Sequence, residues 1–117
     1  AAALIAIGAE DYHRLTRQYV RAERERIMAS IERLRPGSTQ PSVANYFVMK
    51  VPPASTKDIA ERFRNRRILI RDCTGWPGVP EGHLRIAIRT REENDRFLEC
   101  WSQIVDELDW SSYAHAP

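Results

Sequence analysis

Apolar residues recur at three- and four-residue steps from 10 to 34, at Tyr12, Leu15, Tyr19, Ile27, Ile31 and Leu34, with Ala22 a weak link between the two halves. That period predicts one long amphipathic helix. Pro36 and Gly37 end it, because proline disfavours helix in the residue before it and glycine tolerates the turn, and 38 to 42 reads as a loop. The pattern then changes. "NYFVMKV" (45 to 51) is aromatic and β-branched enough for a strand, and Pro52-Pro53 stop it. Ser55 or Thr56 is expected to cap a second helix, with Asp58 in its first turn and Ile59, Ala60 and Phe63 as a narrow apolar face. "RILIR" (67 to 71) and "LRIAIR" (84 to 89) read as two more strands. Thr90 caps a last helix that carries Glu92 and Glu93 in its first turn and a stripe of Phe97, Leu98, Trp101, Ile104, Val105 and Leu108. The tail "DWSSYAHAP" has no period and is expected to wrap a surface or fray. The element order is helix, strand, helix, strand, strand, helix. It implies an α+β fold in which a small, mostly antiparallel sheet is covered by helices.

Length and composition narrow this picture. At 117 residues the chain supports one core, and 43% hydrophobic with 29% charged residues is the balance of a globular domain. No apolar run reaches the length of a membrane span. The opening "AAALIAIGA" lacks the basic flank of a signal peptide and reads as the cut end of a longer helix. Net charge is only +2, and of eighteen basic residues only Lys50 and Lys57 are lysines. Charge alone therefore argues weakly for a polyanion partner. Cys73 and Cys100 stand far apart without metal or redox spacing, which favours a reducing, cytoplasmic setting.

Few residues carry chemistry. His13, His83 and His115 are scattered and read as surface or cap residues, leaving no metal site or catalytic triad. Gly75, Gly78 and Gly82 share a loop but form no phosphate-binding fingerprint. "ERFRNRR" (61 to 67) reads as a solvated helix face before it reads as a nucleic-acid patch. Arg71 and Arg85 differ. Arg85 lies between Leu84 and Ile86, so in a strand it faces away from both and shares a face with Ala87 and Arg89. A helix-covered face is a poor place for an unpaired guanidinium, so an anion should meet it: either an internal partner such as Asp72 or Glu92, or a ligand carboxylate or phosphate.

Three strings in order, "PSVANYFVMKV", "ILIRDCTGWPGV" and "HLRIAIRTREENDRFLECW", resemble the C-terminal small domain of fold-type-I pyridoxal-phosphate enzymes of the histidinol-phosphate aminotransferase group. "YHRLTRQYVRAERERIMASIERL" resembles the connecting helix before it. "IRDC", an aromatic-Pro-Gly loop and Arg89 in place of a glycine look most like the threonine-phosphate decarboxylases, a cobalamin-branch family.

The resemblance divides the chain into a connecting helix region (1–36), an α/β small domain (37–108) and a tail (109–117). It implies a large cofactor-binding domain preceding Ala1 and absent from this chain. It assigns substrate binding to Arg85, which matches the arginine that grips the substrate carboxylate, and to Arg71, which matches one that helps bind the substrate's anionic group. Asn45 is expected to make a structural hydrogen bond. Lys50 and Lys57 do not match the Schiff-base lysine, so this chain is expected to hold no catalytic or cofactor-binding residue and to be inactive alone. Pyridoxal phosphate, a phosphorylated amino-acid-like substrate and a homodimer follow for the whole enzyme, which would be a decarboxylase or an aminotransferase. Two other readings fit the element order: a stand-alone interaction or RNA-binding module, and a degenerate copy retained for dimerisation or regulation. The first lacks the paired exposed aromatics that stack bases.

Overall fold

The computed structural model describes residues 8–34, 38–40 and 45–113. Helix α1 (Ala9–Arg33) leads into strands β1 (Ser38–Gln40) and β2 (Tyr46–Lys50). Helix α2 (Thr56–Asn65), strands β3 (Arg71–Asp72) and β4 (His83–Ala87) and helix α3 (Arg91–Glu107) follow. Short 3-10 turns at Pro53–Ser55 and Trp110–Tyr113 flank α2 and close the described chain. The four strands form one antiparallel sheet in the order β1-β2-β4-β3. The fold is α+β, as the element order implied.

Period-2 alternation sends Phe47 and Met49 of β2 and Leu84 and Ile86 of β4 to the same face, because Phe47 pairs Ile86 and Met49 pairs Leu84 in register. The helices cover that face. Ile27 and Ile31 come from α1, Ile59 and Phe63 from α2, and Phe97, Trp101 and Ile104 from α3. The Phe63 ring stacks on Phe97 at 5.1 Å and on Trp101 at 6.2 Å. Each such buried side chain contributes about 1.5–3 kcal/mol of hydrophobic stabilisation. Leu98 and Val105 of the predicted stripe are only partly buried.

Helix α1 departs from its expected face. Its first half leaves Tyr12, Leu15 and Tyr19 exposed by 58, 48 and 42%, and burial begins at Glu23. Geometry explains this: 25 residues make a helix of roughly 37 Å, whereas five-residue strands span roughly 17 Å. Only the second half can lie on the sheet. Helix α1 ends at Arg33 with Leu34 as its cap; Pro36 and Gly37, expected to terminate it, lie outside the described residues. So do residues 1–7 of the apolar opening and His115 of the tail.

Several boundaries also differ from expectation. Ser38–Gln40, predicted as loop, pairs with β2 as an edge strand. Neither Ser55 nor Thr56 caps α2 with its side chain. Their hydroxyls instead donate to the Pro52 and Pro53 carbonyls, at 2.6 and 3.3 Å, and close the preceding turn. The strand predicted from 67 shrinks to Arg71–Asp72 because α2 needs the intervening residues for its exit. Arg67 N–H bonds Arg64 O and Ile68 N–H bonds Phe63 O, both at 2.9 Å, a Schellman end with Arg67 at φ 63° where glycine is usual. The strand predicted over 84 to 89 is β4, and it ends at Ala87. The tail wraps rather than frays as far as Tyr113: Trp110 Nε1–H donates to Val105 O at 2.9 Å, and Tyr113 O–H to Asp58 at 2.7 Å.

A buried ion network joins α1 to α3. Glu23, only 4% exposed, accepts from Arg26 Nε at 2.6 Å and Nη2 at 3.1 Å, and from Asn94 Nδ2 at 3.2 Å. The Arg26 hydrogen bonds hold its carboxyl below the usual carboxylate range, against the opposing effect of burial. Arg26 also reaches Asp95 at 2.8 Å. Asn94 in turn brackets the Arg89 backbone, accepting from its N–H at 2.9 Å and donating to its carbonyl at 3.0 Å.

Candidate functional site

The face of the sheet opposite the core carries Tyr46, Val48 and Lys50 from β2 and His83, Arg85 and Ala87 from β4. On β3, Arg71 stands in register with Arg85. Antiparallel partners have Cα atoms about 4.5–5.5 Å apart, so two guanidinium-bearing positions are placed side by side. Like charges directly opposite each other destabilise a sheet. An anion between them would remove the repulsion.

Both internal-partner candidates are excluded. Asp72 Oδ1 is taken up by Thr74, accepting from its N–H at 2.9 Å and its hydroxyl at 2.6 Å. Among the described residues, no carboxylate, Glu92 included, pairs with Arg71 or Arg85. Nor is this face covered by helices: Arg71, Lys50 and Ala87 are exposed, and Arg85 is half-buried. Its guanidinium instead lies over the Tyr46 ring at 4.6 Å and over the Trp76 ring at 6.0 Å. Neither aromatic was singled out from sequence. Alternation puts Tyr46 on the Arg85 face only once Val48 is known to pair Arg85.

Arg89 does not share this face, since the strand ends before it. Its carbonyl accepts from Tyr19 O–H at 2.8 Å and its guanidinium lies 3.6 Å from Glu93. His83, expected at the surface, is 4% exposed. Pro80 O lies 2.8 Å from its Nδ1 and can only accept, which places the proton there and leaves Nε2 to accept from Gln40 at 3.3 Å. It is a structural link between loop and β1. Asn45 contributes a backbone contact, its carbonyl accepting from Ile88 N–H at 2.8 Å. In "ERFRNRR", Arg66 pairs with Glu107 and Arg62 lies within 3.6 Å of both Asp58 and Glu107, so two of these cations are committed to intramolecular pairs.

Burial raises the Cys73 thiol above its usual range, with the Asp72 charge adding to the effect. The described residues include no group of side chains suited to a metal ion and no helix long and apolar enough to cross a membrane. A separate cavity of about 300 Å³ lies at the far end of β4, with Arg67, Arg89 and Arg96 around an apolar floor of Ile27, Ile86 and Phe97.

No family model matches the chain. It is 31% identical over 104 residues to the histidinol-phosphate aminotransferase of Methanocella arvoryzae, an overlap of 89% of this chain and 28% of that protein. A decarboxylase from Sulfurospirillum multivorans superposes with a TM-score of 0.72 at 26% identity, over 82% of this chain and 27% of that one. The L-threonine-O-3-phosphate decarboxylase from Porphyromonas gingivalis superposes with a TM-score of 0.64 at 18% identity, over 77% and 28% of the two chains, a likeness of fold alone. The chain spans about a quarter of the length of the curated relatives it matches. These similarities support the fold-type-I pyridoxal-phosphate group that the sequence motifs resemble. They do not single out threonine-phosphate decarboxylase within it.

Proposed function

We propose that residues 37–108 are the substrate-clamping small domain of a pyridoxal-phosphate-dependent decarboxylase or aminotransferase acting on a phosphorylated amino compound, with 1–36 as its connecting helix region. The observation that carries this is the Arg71–Arg85 register pair on an open sheet face, with no carboxylate of the described chain between them. Arginine's planar fork matches a carboxylate or phosphate bidentately.

The cofactor's chemistry is that of an electron sink for a carbanion. We assign these residues substrate holding rather than cofactor holding, because Lys50, at a strand end, and Lys57, in the first turn of α2, do not match the Schiff-base lysine motif. A large domain would supply the Schiff-base lysine and the cofactor's phosphate site, in a cytoplasmic homodimer. This chain's part is orientation. Arg85 fixes the α-carboxylate of a substrate that carries one, as threonine phosphate does, and Arg71 helps bind the remote anionic group; histidinol phosphate, an amino alcohol without a carboxylate, would offer the arginine pair its phosphate. A carboxylate held bidentately in one plane, with the remote anion docked on a second cation, fixes rotation about the substrate's Cα–N bond, so the clamp decides which bond at Cα is presented for cleavage. Presenting the carboxylate bond gives decarboxylation, and threonine phosphate suits it; presenting the hydrogen gives transamination.

The test is steady-state kinetics of the whole enzyme on L-threonine O-3-phosphate and histidinol phosphate. Losing one bidentate charge-assisted contact should cost about ten- to a hundredfold in kcat/KM for Arg85→Ala. Wild-type kinetics in that variant would sink the reading.

A further inference from the structure

Trp76 sits in the ten-residue loop, 73 to 82, that joins β3 to β4, where nothing in the core requires an indole. Two turns set back to back fix its position. Its N–H donates to Cys73 O, and its carbonyl accepts from Val79 N–H, both at 3.1 Å. Gly75 and Gly78 on either side have φ of 85° and 76°, with open space where a Cβ would stand, so conformation and not crowding selects glycine there. At the end of the loop Gly82, φ 88°, approaches Val51 O so closely that an added Cβ would lie 2.5 Å away. Val51 N–H bonds Gly82 O at 2.9 Å. The loop is anchored at both ends to the strands that carry Arg85 and Tyr46.

The consequence is a guanidinium contacted by two rings instead of a carboxylate. Cation–π contact uses the face of the guanidinium, while its five N–H donors radiate in the plane. An ion pair within the protein would occupy those donors. The Cζ of Arg85 lies 4.6 Å from the Tyr46 ring and 6.0 Å from the Trp76 ring, and among the described residues no ion pair takes up its donors.

We propose that Trp76 is a positioning residue: with Tyr46 it holds Arg85 by its faces, so that the edge of N–H donors is presented, preorganised, to a carboxylate on the substrate. This rests on the reading of Arg85 as the carboxylate ligand. Without the indole, the guanidinium is free to swing toward solvent, driven by the like charge of Arg71 opposite. Binding then loses the advantage of a donor edge already in place.

The experiment measures KM, kcat and the calorimetric affinity of the whole enzyme for L-threonine O-3-phosphate in wild type, Trp76→Leu, Trp76→Phe, Arg85→Met and the Trp76→Leu/Arg85→Met double variant. The cation–π range corresponds to a rise in KM of about 2- to 30-fold for Trp76→Leu, with kcat within about twofold. Trp76→Phe should recover most of the loss, and Trp76→Leu should have no further effect once Arg85 is Met. A Trp76→Leu variant that binds as wild type while Arg85→Met is weakened overturns the role of Trp76 and leaves the clamp intact. So does a Trp76→Leu defect that Phe does not rescue or that persists undiminished beside Arg85→Met, since the indole would then serve only the loop's structure. An Arg85→Met variant that binds as wild type overturns the clamp itself and the positioning role with it.

Discussion

Replacing Glu23 by Gln tests the seam that holds α1 against α3. The carboxylate is 4% exposed and accepts two hydrogen bonds from Arg26 and one from Asn94, with Arg91 at 3.7 Å. Glutamine is nearly isosteric and keeps an acceptor for Asn94, so packing changes little and the lost quantity is charge. Breaking a buried ion pair from one side costs about 3–5 kcal/mol. Arg26, however, is 29% exposed and keeps Asp95 at 2.8 Å, which places the expected loss at or just below the bottom of that range, at about 2–3 kcal/mol. Thermal and urea unfolding at pH 7 measure it. The pH dependence gives the sign. The Glu23 carboxyl titrates below its ordinary value of 4.5 in the folded state, chiefly because Arg26 donates to the charged form. Its contribution is therefore fully present above the unfolded value and is lost as pH falls through the folded one. The gap between wild type and Glu23→Gln should be widest near neutrality and close below pH 4.5. An equal gap at pH 7 and pH 3, or no gap at pH 7, would refute the reasoning.

Two backbone substitutions and the clamp variants complete the expectations. Arg67→Gly should stabilise the fold by about 0.5–1 kcal/mol, because Arg67 holds φ 63° at a helix end where an L side chain is strained; a lower unfolding midpoint would contradict this. Gly82→Ala combines positive φ with a 2.5 Å approach to Val51 O, and should cost about 2 kcal/mol or more while displacing the loop that carries Trp76. Its check is unfolding together with substrate KM, both of which should worsen. Arg85→Ala should lose substrate affinity, and Trp76→Leu should lose a smaller part of it, rescued by Phe.

Local chemistry was enough to read most elements directly. Thr90 caps α3 as expected, its hydroxyl oxygen accepting from Glu93 N–H at 3.2 Å and its hydroxyl reaching the Glu93 carboxylate at 3.0 Å. The shared face of Leu84 and Ile86 and the buried stripe of Phe97, Trp101 and Ile104 follow from periods of 2 and 3.6, whereas Phe47 and Met49 are placed in the core by their register with β4. The misreadings occur where nonlocal partners decide. Ser38–Gln40 has no strand signal of its own and becomes a strand because the β2 edge offers it hydrogen bonds. Residues 68 to 70 have the β-branched signal, yet the exit of α2 takes up the backbone at Arg67 and Ile68. His83 is buried because Gln40, 43 residues away, and the 80–81 carbonyls close around it.

The amino-acid sequence by itself determined the α+β class, the buried stripe of α3 around Phe97, Trp101 and Ile104 and the pair of arginines to watch, since alternation, capping and motif order are properties of neighbouring residues. Only the tertiary structure decided what surrounds those arginines. Strand register brought Arg71 opposite Arg85, two chain turns laid Trp76 near a guanidinium nine residues on, and Asp72, the nearest candidate counter-ion in sequence, turned to Thr74. Register, loop closure and the direction of a carboxylate depend on contacts between segments distant along the chain, and no local period encodes them.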